Sequence, residues 1–256
     1  MNIRERHARL VEIVWQEEKA SVEMLAERLG ASRETIRRDL TQLAKLGKVQ
    51  KVHGGAVKPV VLGEPGFRQR LAENAPAKMA IARAAAALFR PGEALFVDTG
   101  STTLFFAEEI ARRGGLTIIT NSTEIARVID KAGNGHKVFL LGGEYSADNS
   151  QTVGTMVAEQ IRAFRAHHAV LTVGAIDSRS GAMDYNIAEA QVARAMIAQS
   201  EKLTILADHS KFGALATFEV CPLARIDTLV CEGPVPAEIR EALEAEGANC
   251  HQVIPY

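Results

Sequence analysis

At 256 residues, with 47% hydrophobic and 24% charged residues and a net charge of -1, the chain has the make-up of a globular protein of one large or two unequal domains. No apolar run approaches the ~20 residues that cross a bilayer, and Met1–Arg6 lacks the apolar segment of a secretory leader. Three scattered cysteines, Cys221, Cys231 and Cys250, form neither a disulfide framework nor a Cys-x-x-Cys metal pair, so a cytoplasmic, non-membrane protein without cofactor or metal is expected.

Residues 3–17 read as a helix, with Leu10, Val11 and Val14 on one face and Trp15 near its end. Ser21 is expected to cap a second helix, Val22–Leu29, that Gly30 ends. Ala31 completes a tight turn, and Ser32 caps a third helix running to about Leu46 before Gly47 stops it. In that third helix Ile36, Leu40 and Leu43 point inward, while arginines and small hydroxyls point outward. A helix read against DNA needs that division: cations reach phosphates or guanine edges, and short polar groups allow close seating in the major groove. Lys48–Val57 then alternates polar and apolar around Gly54-Gly55, the pattern of a short hairpin and hence of a wing.

Charge agrees with this division. Residues 1–58 hold 12 Lys/Arg against 8 Asp/Glu, a balance of +4, and the remainder holds 18 against 23, a balance of -5. A basic N-terminal unit on an acidic body suits DNA binding through one end, although so modest an excess also fits compositional scatter. Arg33, Arg37 and Arg38 alone would fit a solvated helix face, Arg38 pairing with Glu34. Their place after a helix, a short turn and a capping serine favours DNA. Ser32, Arg33, Thr35, Arg37 and Arg38, with Lys51 and His53 from the wing, are the expected contacts to double-stranded operator DNA.

Val60–Gly66, containing Gly63, Pro65 and Gly66, reads as a linker. The expected division is 1–58 for the DNA-binding domain, 59–74 for the linker and 75–256 for the body. In the body, short apolar runs occur at Ala94–Val97, Thr117–Ile119, Val138–Leu141, Ala169–Val173, Leu203–Ala207 and Thr228–Val230. Helical stretches lie between most of them: Lys78–Phe89, Leu104–Arg112, Glu124–Lys131, Met156–Phe164, Glu189–Gln199 and Ala237–Ala245. The expectation is an α/β domain on a largely parallel sheet.

In such sheets, ligands bind beyond the carboxyl ends of the strands. Those ends here carry Asp98-Thr99-Gly100-Ser101-Thr102-Thr103, Thr120-Asn121-Ser122, Gly142-Gly143-Glu144, Gly174-Ala175-Ile176-Asp177 and Asp208-His209-Ser210-Lys211-Phe212-Gly213. Glycines, hydroxyls, carboxamides, carboxylates and a lysine suit a small, polar, anionic ligand. Gly100–Thr103 offers backbone N–H groups and hydroxyls at a helix N-terminus; plain capping by Ser101 or Thr102 is the alternative. Lys211 can meet a phosphate as a point charge or stand solvated. Asp208-His209-Ser210 has hydrolase-triad residue types, but consecutive side chains diverge and cannot form a relay. His167-His168 reads as a loop pair, without ligand spacing for a metal.

The chain resembles the DeoR family of bacterial transcription regulators along nearly its whole length. The resemblance rests on Leu25–Leu40 followed by His53-Gly54-Gly55-Ala56, then on Arg70, Asn74, Lys78, Ile81 and Ala82 as a spaced set. Asp98–Thr103, Thr120-Asn121, Leu141-Gly142-Gly143 and Asp208–Gly213 complete it. It implies a winged helix-turn-helix joined to a sugar-phosphate-sensing domain similar to ribose-5-phosphate isomerase and CoA-transferase folds, without catalysis. It further implies a repressor of a carbohydrate or polyol operon, released by a phosphorylated sugar or polyol and assembled as a homodimer or homotetramer. On the family pattern Arg70, Lys78, Asp208 and Lys211 respond to the effector. The strand-end residues Asp98, Gly100, Ser101, Thr102, Thr103, Asn121, Gly142, Gly143 and Gly174 stand beside them. Gly174–Asp177 with Asp184 and Glu189 is similar to glycerol-3-phosphate-type regulators. Lys48-Val49-Gln50-Lys51 departs from the usual hydrophobic-Arg wing. Asp98, Asp184, Glu189 and Lys211 also supply acid–base groups for an alternative, a sugar-phosphate isomerase carrying a DNA-binding appendage.

Overall fold

The computed structural model describes residues 3–45, 48–52, 54–57 and 64–254. The expected helix end at Leu46-Gly47, the expected DNA contact His53 and the first part of the expected linker, 59–63, lie outside them. The chain separates into two compact units, Met1–Leu62 and Gly63–Tyr256.

In the first unit, α1 (Ile3–Gln16) is followed by β1 (Lys19–Ser21), α2 (Val22–Leu29), α3 (Arg33–Lys45), β2 (Gln50–Val52) and β3 (Gly55–Val57). Local signals set the helix ends. Ser21 Oγ accepts from the Met24 N–H at 3.1 Å, and Gly30 ends α2 in the left-handed conformation, φ 60°, which a residue bearing Cβ adopts at a cost. Leu10 and Val14 of α1, Leu25 of α2, and Ile36, Leu40 and Leu43 of α3 meet in one buried core. The expected hairpin forms as β2 and β3. The sequence reading missed β1, which pairs antiparallel with β3 and makes the wing a three-stranded sheet.

The second unit begins with α4 (Phe67–Ala72), within the stretch expected as linker. Phe67 and Arg70 are buried there, so this part of the expected linker is packed into the body. α5 (Ala75–Ala86) starts ahead of Lys78, with Pro76 in its first turn. The chain continues through β4 (Ala94–Val97), α6 (Ser101–Ala111), β5 (Thr117–Thr120), α7 (Thr123–Ala132), β6 (Lys137–Leu140), the hairpin β7 (Glu144–Ser146) and β8 (Gln151–Val153), and α8 (Thr155–Arg162). Next come β9 (Ala166–Thr172), β10 (Ala175–Asp177), β11 (Gly181–Asp184), α9 (Ile187–Ala198), β12 (Ser200–Ala207), β13 (Phe218–Cys221), β14 (Thr228–Glu232), α10 (Ala237–Ala245) and β15 (Asn249–Val253).

Among the described residues seven strands form a parallel sheet, in the order β15-β14-β12-β9-β4-β5-β6; six of them were expected, and the edge strand β15 was missed. Alternate residues serve opposite faces, as period two requires. Leu95, Val97, Ile118, Val170, Leu206 and Val230 pack with α5, α6 and α7. Phe96, Ile119, Ala169, Leu171, Ile205 and Leu229 pack with α8, α9 and α10. Strand order reverses direction between β4 and β9, which is where a crevice opens in sheets of this class. Two small antiparallel sheets, β10-β11-β13 and β7-β8, stand outside the main one, and the sequence reading missed both.

Candidate functional site

The outward face of α3 is the first candidate site. Ser32 Oγ accepts from the Thr35 N–H at 3.1 Å and lies 2.8 Å from Thr35 Oγ1, so both hydroxyls are committed to starting the helix. Arg33, Arg37 and Arg38 are exposed. Arg38 pairs with Glu34 at 3.4 Å and Arg33 with Glu23 at 3.9 Å, both solvent-facing pairs that cost little to exchange. Arg37 has no carboxylate partner among the described residues. It shares a shallow groove with Arg38, Thr41, Gln42 and Lys51, and Lys51 Nζ donates to Thr41 Oγ1 at 3.0 Å. The buried carboxylate of Asp39 fixes this helix from behind, accepting from Arg6 Nε at 2.6 Å and meeting His7 Nε2 at 3.0 Å. Burial alone would raise that carboxyl; the Arg6 and His7 bonds outweigh it and hold it below its ordinary value.

The second candidate lies in the other unit, at the carboxyl ends of the parallel strands. Asp98 follows β4, and its carboxylate accepts from the Thr172 N–H at 3.2 Å, spanning the point where strand order reverses. Gly100 precedes α6, and no side chain caps that helix. The first-turn hydroxyls Ser101, Thr102 and Thr103 are buried, and the Thr103 hydroxyl donates to Gly100 O at 3.2 Å. Ser101–Thr103 thus form the first turn of α6, at the helix N-terminus expected there, and its leading N–H groups have no intrahelical acceptor.

Beside it lies a cavity of about 690 Å³ lined by Glu64–Arg70, Ser146–Asn149, Asp184–Asn186 and Glu189. Its charges are segregated. On one side, Glu64 accepts from Arg70 Nη1 and from Lys211 Nζ, the latter at 2.8 Å, and Lys78 Nζ donates to Arg70 O. On the other, Glu189 Oε1 accepts from Asn149 Nδ2 at 2.7 Å and Gln151 Nε2 at 2.9 Å. Asn149 joins the two sides, because its Oδ1 accepts from Arg70 Nη2 at 2.7 Å.

Burial drives Asp98 well above the usual carboxylate range, and the nearby Asp184 and Glu189 charges add to the shift. Burial, with repulsion from Glu189, pushes Asp184 to about 7, and burial also raises Glu189. The opposite side behaves differently. Burial would raise Glu64, but Lys211 and Arg70 outweigh it and keep it ionised. Burial lowers Lys78, partly offset by Asp208. Asp208 is lowered on balance: bonds from Ser210 and the charges of Lys211 and Lys78 overcome its burial. The cavity is therefore lined by Arg70, backed by Lys211 and Lys78, and by reluctantly charged carboxyls, Asp184 and Glu189. Among the described residues, no group of three or more His, Cys, Asp or Glu is arranged to hold a metal ion, and no helix is long and apolar enough to cross a membrane.

Comparison with known proteins identifies the lineage. Residues 6–59 match the DeoR-like helix-turn-helix domain and residues 73–233 the DeoR C terminal sensor domain. The chain belongs to the DeoR family. It is therefore a DNA-binding transcriptional regulator and not the isomerase considered from its acid–base residues. This DeoR-family protein is 32% identical to the HTH-type transcriptional regulator GlpR of Haloferax volcanii, over 96% of each chain. It is 30% identical to the HTH-type transcriptional repressor CsqR of Escherichia coli, over 93% of this chain and 91% of that one. The Glycerol-3-phosphate regulon repressor of Escherichia coli is 29% identical over 93% and 94%. Among solved structures, ribose 5-phosphate isomerase A from Methanocaldococcus jannaschii is similar with a TM-score of 0.41, 15% identity and 55% of each chain covered. The Pyrococcus horikoshii translation initiation factor eIF-2B gives a TM-score of 0.43 and 14% identity, over 90% of this chain and 82% of that one.

In this DeoR-family regulator, the expected effector residues do not all gather in one place. Arg70, Asp184 and Glu189 line the cavity directly, Lys211 reaches its edge through Glu64, and Lys78 and Asp208 stand behind them. Asp208 also accepts from Asn74 Nδ2 at 3.2 Å, which ties α5 to the end of β12. Asn121 is buried, donates to Thr152 O at 2.9 Å, and leaves Oδ1 without a partner among the described residues. The glycines have packing duties. Gly142 exchanges backbone bonds with the Gln160 amide. A Cβ on Gly143 would stand 2.6 Å from Val157, and one on Gly174 2.8 Å from the Tyr185 ring. Gly174 follows the carboxyl end of β9, as expected, but Ala175–Asp177 forms β10 rather than a loop, and the Asp177 carboxylate accepts from the Arg179 and Ser180 N–H groups of the following turn.

Asp208-His209-Ser210 makes no relay: Ser210 bonds Asp208 directly, and His209 Nδ1 meets Glu232 at 2.6 Å. His167 and His168 sit on β9 rather than in a loop, His167 Nδ1 accepting from the Ala94 N–H and His168 lying edge-on to Phe89. Sequence reasoning missed Glu64, Asn149 and Gln151. A polar residue beside Pro65-Gly66, or within a run of small polar residues, reads as solvated loop, and no local signal reveals a partner far along the chain.

Proposed function

We propose that this protein is a repressor of a carbohydrate or polyol operon, released from its operator by a phosphorylated sugar or polyol. One observation carries the reading: the cavity is lined by buried Arg70, with Lys211 and Lys78 behind it, and by the raised carboxyls Asp184 and Glu189. A phosphate matches the cations. Hydroxyl groups match carboxyls and carboxamides that can both donate and accept, as Asp184 does when protonated and as Asn149 does through its amide. The regulon name of the Escherichia coli relative agrees with a polyol phosphate.

DNA is read by residues 1–58, with Arg37 and Arg38 in the major groove, Arg33 and Lys51 at its margins, and Ser32 and Thr35 setting the start of the recognition helix. The body from Glu64 onward senses the effector. The protein acts as a homodimer or homotetramer, which matches repeated operator half-sites. Binding to the DNA beside its own gene, challenged with phosphorylated sugars and polyols, tests the reading. A compound that releases the DNA identifies the effector; a complete panel without effect counts against it.

A further inference from the structure

Glu64 is an unusual occupant of a cationic site. Its two carboxylate oxygens are divided between Lys211 and Arg70, which come from the turn after β12 and from α4. All three side chains are largely buried, at 15%, 15% and 9% exposure for Glu64, Lys211 and Arg70. The match is incomplete. Arg70 gives Nη1 to Glu64 and Nη2 to Asn149, but its buried Nε has no hydrogen-bond partner among the described residues. A buried donor left unpaired is costly and points to a missing acceptor. Glu64 supplies a single negative charge between Arg70 and Lys211, while Lys78 behind them is offset in part by Asp208. A phosphate monoester brings nearly two charges and three acceptor oxygens, and a guanidinium accepts such a group through two parallel N–H bonds.

We propose that Glu64 is a built-in anion that occupies the phosphate subsite in the ligand-free protein, and that an effector phosphate displaces it from Arg70 and Lys211. The inference rests on the phosphorylated-effector reading above and adds the competitor. A ligand shifts a protein only through contacts that differ between its states, and this exchange is such a contact. Glu64 lies seven residues along the chain from Val57, the last residue of the wing strand β3. Phosphate capture thus acts on the chain where it enters the sensing body.

The test uses the full chain with inorganic phosphate as the probe, in calorimetric titrations of wild type, Glu64→Gln and Lys211→Ala. If Glu64 holds the subsite in about nine molecules of ten, its removal tightens the apparent affinity about ten-fold. Glu64→Gln is expected to bind phosphate that much more tightly than wild type, and Lys211→Ala more weakly. Glu64→Ala, followed by thermal unfolding, is a second measurement: phosphate should raise its Tm more than that of wild type. A variant that unfolds without phosphate should refold when phosphate is added. Phosphate binding in Glu64→Gln equal to or weaker than in wild type, with wild-type binding still lost in Lys211→Ala, would overturn the exchange and leave the effector site standing. Absence of phosphate binding in every protein would overturn both.

Discussion

Replacing Asp184 with Asn should stabilise the sensing unit at alkaline pH, even though it alters the ligand cavity. Asp184 is buried, lies near Glu189, and titrates at about 7 rather than at its ordinary 3.8. Its folded value is above its unfolded value, so between 3.8 and about 7 the folded chain holds a proton that the unfolded chain has lost. Stability from this group is therefore complete below 3.8 and falls until pH passes about 7. At ~1.4 kcal/mol per pH unit, the whole gap corresponds to about 4 kcal/mol, and the part between pH 5 and 8 to about 3 kcal/mol. Asparagine carries no charge and lacks that dependence. Urea unfolding followed by circular dichroism at pH 5 and pH 8 gives the comparison. Wild type should gain on acidification relative to Asp184→Asn, by on the order of 2–3 kcal/mol, and the difference cancels other titrating groups such as His168. Fluorescence of Trp15, the sole tryptophan of the chain, reports the DNA-binding unit and should be unchanged. Parallel pH profiles in the two proteins would refute the reasoning, because Asp184 would then ionise as freely in the folded state as in the unfolded one.

Arg37→Ala should weaken operator binding while sparing effector binding: loss of a base contact costs roughly 1–3 kcal/mol with relaxed sequence choice, loss of a phosphate contact about 0.9 in the salt slope. Unchanged affinity at matched salt, measured by fluorescence anisotropy, would remove α3 from the interface. Asp39→Ala should destabilise the DNA-binding unit by roughly 1–3 kcal/mol, since Arg6 and His7 lose their shared carboxylate. Trp15 fluorescence in urea measures this. In wild type the same contribution should fade only as pH drops through the depressed Asp39 value, below 3.8; equal stability of the two proteins at pH 7 would deny Asp39 the role of tie.

The helix-turn-helix was legible because its instructions are local. Ser21, Gly30 and Ser32 mark helix ends within a turn of where they act, and Ile36, Leu40 and Leu43 repeat at helical spacing. The inner parallel strands β4, β5, β9, β12 and β14 were legible because strands buried on both faces read as apolar runs, whereas the exposed edge strand β15, Asn249–Val253, carries no such run. β1 has three residues, and only its pairing with β3 distinguishes it from a loop. The strands β7, β8, β10, β11 and β13 are likewise too short for a period to register. The site was legible as residue types at strand ends, but not as partnerships. Glu64 and Lys211 are 147 residues apart and Arg70 and Asn149 are 79 apart, so only the folded sheet decides which cation meets which carboxylate. The strand-end glycines misled for a related reason: Gly143 and Gly174 accommodate Val157 and Tyr185, neighbours supplied by elements further along the chain.

The most direct test of the account is release of operator DNA by a ligand acting through Lys211. The DNA beside the protein's own gene is titrated with wild type and with Lys211→Ala, each with and without phosphorylated sugars and polyols. One of these compounds is expected to weaken wild-type binding, while Lys211→Ala binds the DNA equally well and no longer responds. An undiminished response in Lys211→Ala, or a wild type indifferent to every phosphorylated compound, would contradict it.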